Sequence, residues 1–339
     1  MNSSTKKTKF ACMKPIRLMT YRYGSTLPPL PEDSLPNSSE LFEVYGQTPG
    51  YEPILVVASI DGNPIAKLQA VIRRSVRLFP PSIIKRCEIF GTGEYFGNSH
   101  PQEELFGLML KHLTDEVQKE CFLIEFRNLP TALFGYKHFR KNGYFPINWI
   151  RVYNSLHSLS PEERLDIKRK RQINRALKQG VTIQEAVTEE EIRTFLKLLK
   201  LHYSSKVRKH FPHLQLFRLL AQDTAVQKSA RIFIVRYKNR IIGGSFCMYS
   251  NDRAYLCFSF GLRKTFAWLH PNSLAIWTAL TDAHQQGYRH FEFNDAGLPY
   301  RKVGYRNFIL SFGGKQVSTR RWFRFRWEWL NKLSRWLYR

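Results

Sequence analysis

The residues best suited to chemistry follow a short alternating segment, RHFEFND, near position 290. Strand alternation places two phenylalanines on one face and Glu292 on the other, and Asp295 leaves the strand just ahead of a turn marked by glycine and proline. A carboxylate at a strand exit is well placed to line a cleft, so Asp295 is a candidate catalytic residue. The alternative is a turn residue that bonds its own backbone. Glu292 is more simply explained as a paired or exposed strand carboxylate.

A cationic and aromatic cluster comes directly after that turn. Arginine and lysine side chains can bind phosphate or carboxylate, while tyrosine rings can stack on a base or a sugar. The alternative is a solvated surface loop. The cluster consists of Tyr300, Arg301, Lys302, Tyr305 and Arg306.

A predicted helix start lies at Asn272 and Ser273, directly after Pro271. Its exposed N–H groups can meet a carbonyl or a phosphate, although ordinary helix capping explains the same residues. His270 lies beside this start and is a candidate polar site group. The histidines between positions 202 and 213 lack a third ligand at a convincing spacing, so no metal site is predicted.

A basic helix is predicted over residues 161–180, with proline at its start and glycine at its end. Residues 166–178 carry six basic side chains and one acidic side chain. They form either a solvated helix face or a clamp on phosphates or lipid head groups. The candidate anion-binding residues are Arg169, Arg171 and Arg175.

The last twenty residues, 320–339, contain seven basic residues and one acidic residue. If they form one helix, Trp322, Trp329 and Trp336 share a stripe. An aromatic stripe opposite a cationic face is typical of a helix lying in an anionic membrane interface. The alternative is a stripe that closes a domain core or packs on the first domain.

The whole chain is strongly basic: 53 Lys and Arg against 27 Asp and Glu give a formal charge of +26 over 339 residues. This charge predicts an anionic partner, namely nucleic acid, anionic lipid or a phosphorylated substrate. No apolar run reaches the roughly 20 residues of a membrane-spanning helix, and Lys14 and Arg17 interrupt any signal-peptide core. Five scattered cysteines without a C-x-x-C pair argue against zinc and a disulfide framework. We therefore expect a cytoplasmic protein.

The elements that must position these residues occur in two similar halves, which predicts an α+β fold with mostly antiparallel sheets. In each half a hairpin and a further strand precede a helix and another strand, and the sequence helix, Gly-Tyr, strand recurs. The predicted segments are a hairpin at 53–73, strands at 87–97 and 121–128, a helix at 101–119 and a strand ending at 153; then strands at 230–237, 241–249 and 253–261, a helix at 272–286 and a strand at 289–295.

Several of these segments resemble the GNAT acyltransferase superfamily, and within it the FemAB-like branch that carries two GNAT-type domains in one chain. The resemblance rests on residues 232–261, on HPNSLAIWTALTDAHQQGYRHFEFND and LPYRKVGYRNFILSFGG, and on the segments at 201–220 and 41–53. It implies tandem GNAT-like domains, each a mostly antiparallel mixed sheet flanked by helices. The expected organisation is an arm at 1–40, a first domain at 41–158, the basic linking helix at 159–185, a second, acyl-transferring domain at 186–318 and a cationic helix at 319–339.

The resemblance also implies transfer of an acyl or aminoacyl group to an amine, from acyl-coenzyme A or aminoacyl-tRNA and without a metal. Ordinary GNAT enzymes bind the pyrophosphate of coenzyme A with a glycine-rich loop, but GLRKTFAWLHPNS has one glycine, Gly261, so the donor stays open. A lysine that this branch carries before its closing Phe-Gly is replaced by Ile309. Lys302 or Arg306 is therefore the candidate for its substrate-orienting role.

On this basis the sequence predicts an N-acyltransferase whose acceptor is a phosphorylated, cell-wall, glycan or lipid-linked amine, in the cytoplasm or peripherally at the inner membrane face. The expected partners are a polyanionic substrate, tRNA or an anionic membrane surface, and not DNA. The alternative is a non-catalytic protein of the same fold that binds RNA or an anionic membrane. The candidate catalytic residues are Asp295, Lys302 and Tyr300, and the candidate substrate-binding residues are Arg306, Tyr305, Asn272, Ser273, His270 and Arg208.

Overall fold

The computed structural model describes residues 15–31, 34–74, 84–97, 100–129, 131–203, 211–222, 230–293, 296–301 and 304–338. The strands are β1 (Arg17–Arg22), β2 (Tyr51–Ile60), β3 (Asn63–Arg74), β4 (Lys85–Phe90), β5 (Glu94–Tyr95), β6 (Leu123–Arg127), β7 (Phe145–Ser155), β8 (Thr182–Glu185), β9 (Ala230–Tyr237), β10 (Arg240–Ser250), β11 (Arg253–Gly261), β12 (His290–Phe293) and β13 (Lys315–Phe325). The α-helices are α1 (Ser39–Gly46), α2 (Gln102–Val117), α3 (Tyr136–Lys141), α4 (Pro161–Arg164), α5 (Ile167–Lys178), α6 (Glu189–His202), α7 (Leu214–Gln222), α8 (Pro271–Gln285), α9 (Gly304–Leu310) and α10 (Glu328–Leu337).

Local sequence signals explain most of these boundaries. The hairpin of β2 and β3 turns at Asp61 and Gly62, which both adopt the positive φ that a two-residue hairpin turn requires. Helix α6 begins with a capping box in which the Thr188 hydroxyl accepts from the Glu191 N–H and the Glu191 carboxylate accepts from the Thr188 N–H. The pairing of β2 with β3 around Asp61 and Gly62 confirms the predicted hairpin at 53–73.

The thirteen strands of the described residues join one sheet, in the order β1-β2-β3-β4-β6-β13-β7-β12-β11-β10-β9-β8, with β5 paired to β3. Within the described residues the β4–β6 and β11–β12 pairs are parallel and the other pairs are antiparallel. The mixed α/β fold class with a largely antiparallel sheet is confirmed.

The two halves exchange their last strands at the centre of this sheet. Strand β7, from the first half, pairs with β12 of the second half, and β13, from the second half, pairs with β6 of the first. The exchanged strands also pair antiparallel with each other, with Thr319 opposite Trp149 at the middle of the ladder. Neither half therefore completes its sheet without a strand from the other.

The exchange also ties the hydrophobic cores together. Trp322 of β13 is fully buried in the core of the first half, where its ring stacks on Phe139 at 4.6 Å between centroids. A separate cluster places Leu41 and Val71 of the first half with Phe217 and Phe246 of the second. Burial of such side chains, each worth about 1.5–3 kcal/mol, resists separation of the halves.

The tail prediction is wrong in its first part, because residues 320–325 belong to β13 and only Glu328–Leu337 form a helix. The facing edges of β6 and β7 each need a strand partner, and this requirement outweighs the helical spacing of the tryptophans. Trp322 lies in the core, so it does not reach a membrane surface in this structure.

The predicted basic helix is interrupted. It consists of α4 and α5, and Asp166 between them caps the second helix by accepting from the N–H groups of Lys168 and Arg169. None of the described helices is both long and apolar enough to cross a membrane.

Candidate functional site

A split in the sheet lies beside β11. Strands β11 and β12 pair from Arg253 and His290 to Leu256 and Phe293, and β11 then continues for five residues, to Gly261, beyond the last of these pairs. The register between β10 and β11 also shifts at Cys257, an extra residue on β11 that bulges the strand. The split exposes a stretch of extended backbone to a space between the two halves.

The N-terminus of α8 closes on the far end of this stretch. A Cβ atom on Gly261 would lie 2.1 Å from Asn272 Oδ1 and 2.5 Å from the Asn272 backbone nitrogen, so glycine is needed for this approach. Pro271 occupies the first helical turn, and His270 before it adopts a left-handed conformation. The positive end of the α8 dipole therefore faces the split.

The split opens on a cavity of about 1130 Å³ lined by both halves. One part of its lining is apolar and belongs to a single hydrophobic cluster, which includes Leu41, Val71, Leu216, Phe217 and Phe246. The other part carries charged side chains of the central strands. Cavities of this size, mainly apolar with a few placed polar groups, are typical of ligand sites.

Glu88 is held by two arginines on the first-half side of the cavity. The Nη1 atom of Arg73 lies 3.2 Å from both Glu88 carboxylate oxygens, and Arg127 Nη2 lies 3.5 Å from one of them. Burial opposes ionisation of Glu88, but the charges of Arg127, Arg73 and Arg86 outweigh it and lower the pKa of Glu88 to about 2. Glu88 is thus an ionised structural carboxylate and not a proton acceptor at neutral pH.

Two buried glutamates are bridged in the same way, one in each half. Glu125 of β6 lies 2.9 Å from Arg86 Nη2 and 3.4 Å from Arg321 Nη1. Glu292 of β12 lies 2.9 Å from Arg151 Nη2 and also accepts from Arg253. In each case one arginine, Arg321 or Arg151, comes from the strand that the other half contributes.

The polar lining of the cavity is predominantly cationic. The lining includes six arginines, at positions 73, 127, 151, 169, 263 and 321, but two carboxylates, Glu88 and Glu292. Arg151 Nε and Thr319 Oγ1 are among the buried atoms of lining residues that have no hydrogen-bond partner in the described part of the chain. A hydrogen-bond donor and a hydroxyl without partners favour binding of an anionic ligand that is rich in oxygen atoms.

Arg169 joins three helices at one end of the cavity. Its Nη1 atom donates to Ser273 Oγ at 2.8 Å, its Nε atom donates to Ser311 Oγ at 3.0 Å, and its guanidinium lies over the Phe308 ring. This arrangement fixes a cation directly at the start of α8.

Two histidines line the same cavity. Burial lowers the pKa of His270, and the charges of Arg169 and Arg175 lower it further. Burial, together with Arg263, lowers the pKa of His202. Both imidazoles are therefore neutral at pH 7 and able to accept a proton. No group of three or more His, Cys, Asp or Glu side chains in the described part of the chain is arranged to hold a metal ion.

The structure brings part of the predicted site together. His270, Asn272, Ser273, Tyr305 and Arg169 all line the cavity. The buried Oδ1 of Asn272 has no hydrogen-bond partner among the described residues.

Other predicted residues lie elsewhere. Arg306 donates from Nε to the Ala296 carbonyl at 2.9 Å and from Nη2 to the Leu298 carbonyl at 2.5 Å, so its side chain orders the preceding turn. Tyr300 is 66% exposed and is not part of the cavity lining. Arg171 and Arg175 are exposed on α5, and Trp329 and Trp336 are exposed on α10. The remaining predicted site residues, Asp295, Lys302 and Arg208, lie outside the described residues.

The arginines of the central strands that line the cavity were not among the predicted site residues. Arg151 stands within an apolar and aromatic segment, whereas Arg73 and Arg321 each stand beside a second arginine and next to apolar or aromatic residues. A cation in such a position must be paired or must face a polar cavity, and this signal was available from the sequence. Their convergence was not, because they come from three distant strands.

Residues 162–302 match the sequence model of the acetyltransferase (GNAT) domain. A comparison with curated protein sequences gives no match. The residues at the split, from β11 to the start of α8, all lie within the matched range.

Solved structures share the fold over most of the chain. FemX is 13% identical, with 89% of this chain and 94% of that chain covered and a TM-score of 0.62. A tandem GNAT protein from the clavulanic acid biosynthesis pathway is 12% identical, with 83% and 85% covered and a TM-score of 0.55. L-PGS from Bacillus licheniformis is 15% identical, with 79% and 86% covered and a TM-score of 0.52. The domain match confirms the predicted resemblance to the GNAT superfamily, and the shared fold is consistent with its FemAB-like branch.

Proposed function

We propose that this protein is an N-acyltransferase that moves an acyl or aminoacyl group from an activated donor to an amine of a phosphorylated, cell-wall, glycan or lipid-linked acceptor. One observation carries the proposal: β11 runs beyond its last pair with β12, and its open backbone lies between the N-terminus of α8 and a cationic cavity. The names of the similar structures, FemX and L-PGS, agree with aminoacyl transfer, and the GNAT domain match agrees equally with acyl-coenzyme A.

The donor lies at the α8 end in this proposal. Both donor classes carry phosphates, and the start of α8 offers backbone N–H groups beside the Arg169 guanidinium. Helix α5 packs against α8. The exposed cations of α5 therefore extend the positive surface that begins at the start of α8. A positively charged surface of this kind can bind the phosphates of coenzyme A or of the tRNA backbone.

The reaction forms a C–N bond between the acceptor amine and the donor carbonyl carbon. The C–S bond of a thioester or the C–O bond of an aminoacyl ester breaks, and the amine proton leaves. Backbone N–H groups along the β11 extension are placed to stabilise the oxyanion that forms. Neutral His270 or His202 accepts the proton, since Glu292 is already held by Arg151 and Arg253. Asp295 and Lys302 remain predicted contributors from the sequence.

The acceptor enters from the first-half side of the cavity. There the arginines at positions 73, 127, 151 and 321 outnumber the carboxylates, and the Arg151 Nε atom, which has no hydrogen-bond partner in the described residues, can donate to a ligand oxygen. A phosphorylated acceptor matches this charge.

The test is a two-donor assay. Purified protein receives labelled acyl-coenzyme A or aminoacyl-tRNA with a panel of amine acceptors, and release of free thiol or free tRNA is measured. We expect one donor class to react and Arg169→Gln to raise the KM for that donor about tenfold, as for loss of one charge-assisted hydrogen bond. Asp295→Ala and Lys302→Ala, in parallel, should lower kcat.

The matched control is Lys178→Gln, which removes an exposed cation from the same helix but not from the start of α8. It should change the KM for a coenzyme A donor less than twofold. Turnover with neither donor, in protein that still binds RNA or anionic vesicles, would refute the enzyme and favour the non-catalytic binding protein.

A further inference from the structure

An exposed apolar stripe runs along α10. Trp329, Leu333, Trp336 and Leu337 follow one another at positions i, i+4, i+7 and i+8, and their exposed fractions are 62%, 44%, 71% and 60%. The side chains therefore share one face of the helix, and that face is turned to solvent. Folded proteins rarely leave such a patch without a partner.

The helix packs on the protein with its opposite, more polar side. Asn331 is 1% exposed, and its side-chain amide accepts from the Phe325 N–H at 2.7 Å and donates to the Phe325 carbonyl at 3.0 Å. Arg335 pairs with Glu328 at 2.5 Å on the helix surface. Hydrogen bonds to β13 thus orient α10 so that the tryptophans point away from the core.

Exposed cations lie on α10 and on the segments that contact the end of β13 leading into it. The chain that leads into α10 is tied to α2 and α3, because Arg324 donates to Gln118 Oε1 at 2.9 Å and to the Asn142 carbonyl, and the Arg326 N–H donates to the Phe122 carbonyl. These exposed basic residues are Lys119, Arg140, Lys141, Arg326 and Lys332.

We propose that this corner, formed by α10 and these five exposed cations, docks on an anionic lipid bilayer. Tryptophan and leucine enter the interfacial layer while the cations meet lipid head groups, as in interfacial amphipathic helices. A second copy of the chain is the poorer occupant, since each copy carries a formal charge of +26 and the basic corners would face each other. The docking is separate from acyl transfer and is measured without turnover.

The experiment is sedimentation of the full chain with vesicles of phosphatidylcholine containing about one third phosphatidylglycerol. The double variant Trp329→Ser/Trp336→Ser should lower the partition coefficient at least about tenfold. Arg326→Glu/Lys332→Glu should lower it at low salt but have less effect at about 0.5 M salt, where screening is strong. Pure phosphatidylcholine vesicles should bind the wild type weakly.

The matched control is Leu159→Ser/Val187→Ser, which removes two exposed apolar side chains distant from α10 in the chain (48% and 82% exposed). It should leave vesicle binding unchanged. Vesicle binding by the Trp329/Trp336 variant equal to that of the wild type overturns the proposal. A wild-type dimer in analytical ultracentrifugation that this variant converts to monomer overturns it in favour of a second copy.

Discussion

The two halves of the sheet share one arrangement of strands, but their parallel strand pairs end differently. In the first half β4 pairs with β6 from Arg86 and Leu123 to Phe90 and Arg127, and β4 then ends. In the second half β11 leaves β12 after Leu256 and continues to Gly261. Each half therefore contains a parallel pair connected through a helix, but in the described residues the extension is seen on β11.

The ending of β4 has a local cause. Gly91 and Gly93 both adopt positive φ, and the chain turns back so that β5 pairs with β3. A Cβ atom on Gly93 would lie 2.3 Å from the Lys67 carbonyl, so the turn packs directly on β3. Lys67 is itself buried and paired with Glu94 at 3.0 Å. In the first half, this turn ends β4 at the position where β11 of the second half continues past its partner strand.

This difference distinguishes the residues that stabilise the fold from the residues that form the candidate site. The buried glutamates, with arginines from the exchanged strands, occur in both halves and support the frame. The open strand and the helix start beside it occur in the second half and provide the candidate site. Changes to the shared frame should affect both halves alike, whereas changes to the split should affect activity.

The largest effect is expected from the shared frame. Glu125→Ala and Glu292→Ala should each lower the free energy of unfolding by about 3–5 kcal/mol, because each removes a buried carboxylate and leaves partly buried arginines without their partner. Urea denaturation monitored by tryptophan fluorescence measures the loss. Two similar values would support equivalent roles in the two halves.

The control for this comparison is the exposed pair Lys111 and Asp115, 2.8 Å apart on α2. Lys111→Ala should cost less than about 0.5 kcal/mol, as for other exposed pairs within one helix. If Glu125→Ala costs no more than this control while Glu292→Ala costs several kcal/mol, the two bridges are not equivalent.

The repeated elements were predictable from the sequence because their signals are local. Asp61-Gly62 marks a hairpin turn, and the start of α8 follows from Pro271 with polar residues after it. The same local signal identified His270, Asn272 and Ser273, which do line the cavity.

The strand exchange was not predictable in this way. The segment 320–325 has an aromatic spacing that suits a helix as well as a strand, and its conformation is decided by β6 and β7, nearly 200 residues earlier in the chain. The same non-local pairing brings Arg321 beside Glu125 and Arg151 beside Glu292. A single sequence contains no periodicity that specifies such partners.

The next effect concerns acid stability and the first half. Glu88 stands opposite Glu125 in the parallel pair, where the second half has Tyr255 opposite Glu292. Because the folded-state pKa of Glu88, about 2, is below its ordinary value of 4.5, its contribution is fully present above pH 4.5 and is lost as pH falls toward 2. The loss should be on the order of 3 kcal/mol.

Urea denaturation of the wild type and of Glu88→Gln between pH 2 and pH 6 measures this contribution. The variant should be less stable than the wild type at pH 6, and its stability should fall less steeply as pH decreases. Parallel curves for the two proteins would mean that Glu88 is not the source of the acid sensitivity.

The smallest effect is expected at the split itself. Gly261→Ala forces a Cβ atom against Asn272 and must shift the start of α8, so the KM for the donor should rise about tenfold, equivalent to about 1.4 kcal/mol. Gly244→Ala is the matched control, since its Cβ would meet the Phe233 carbonyl and the Phe195 ring, away from Asn272. It should lower the melting temperature and leave the KM unchanged. Equal rises in KM for both variants would mean that a general loss of packing causes the rise. The contact between Gly261 and the start of α8 would then have no specific role in donor binding.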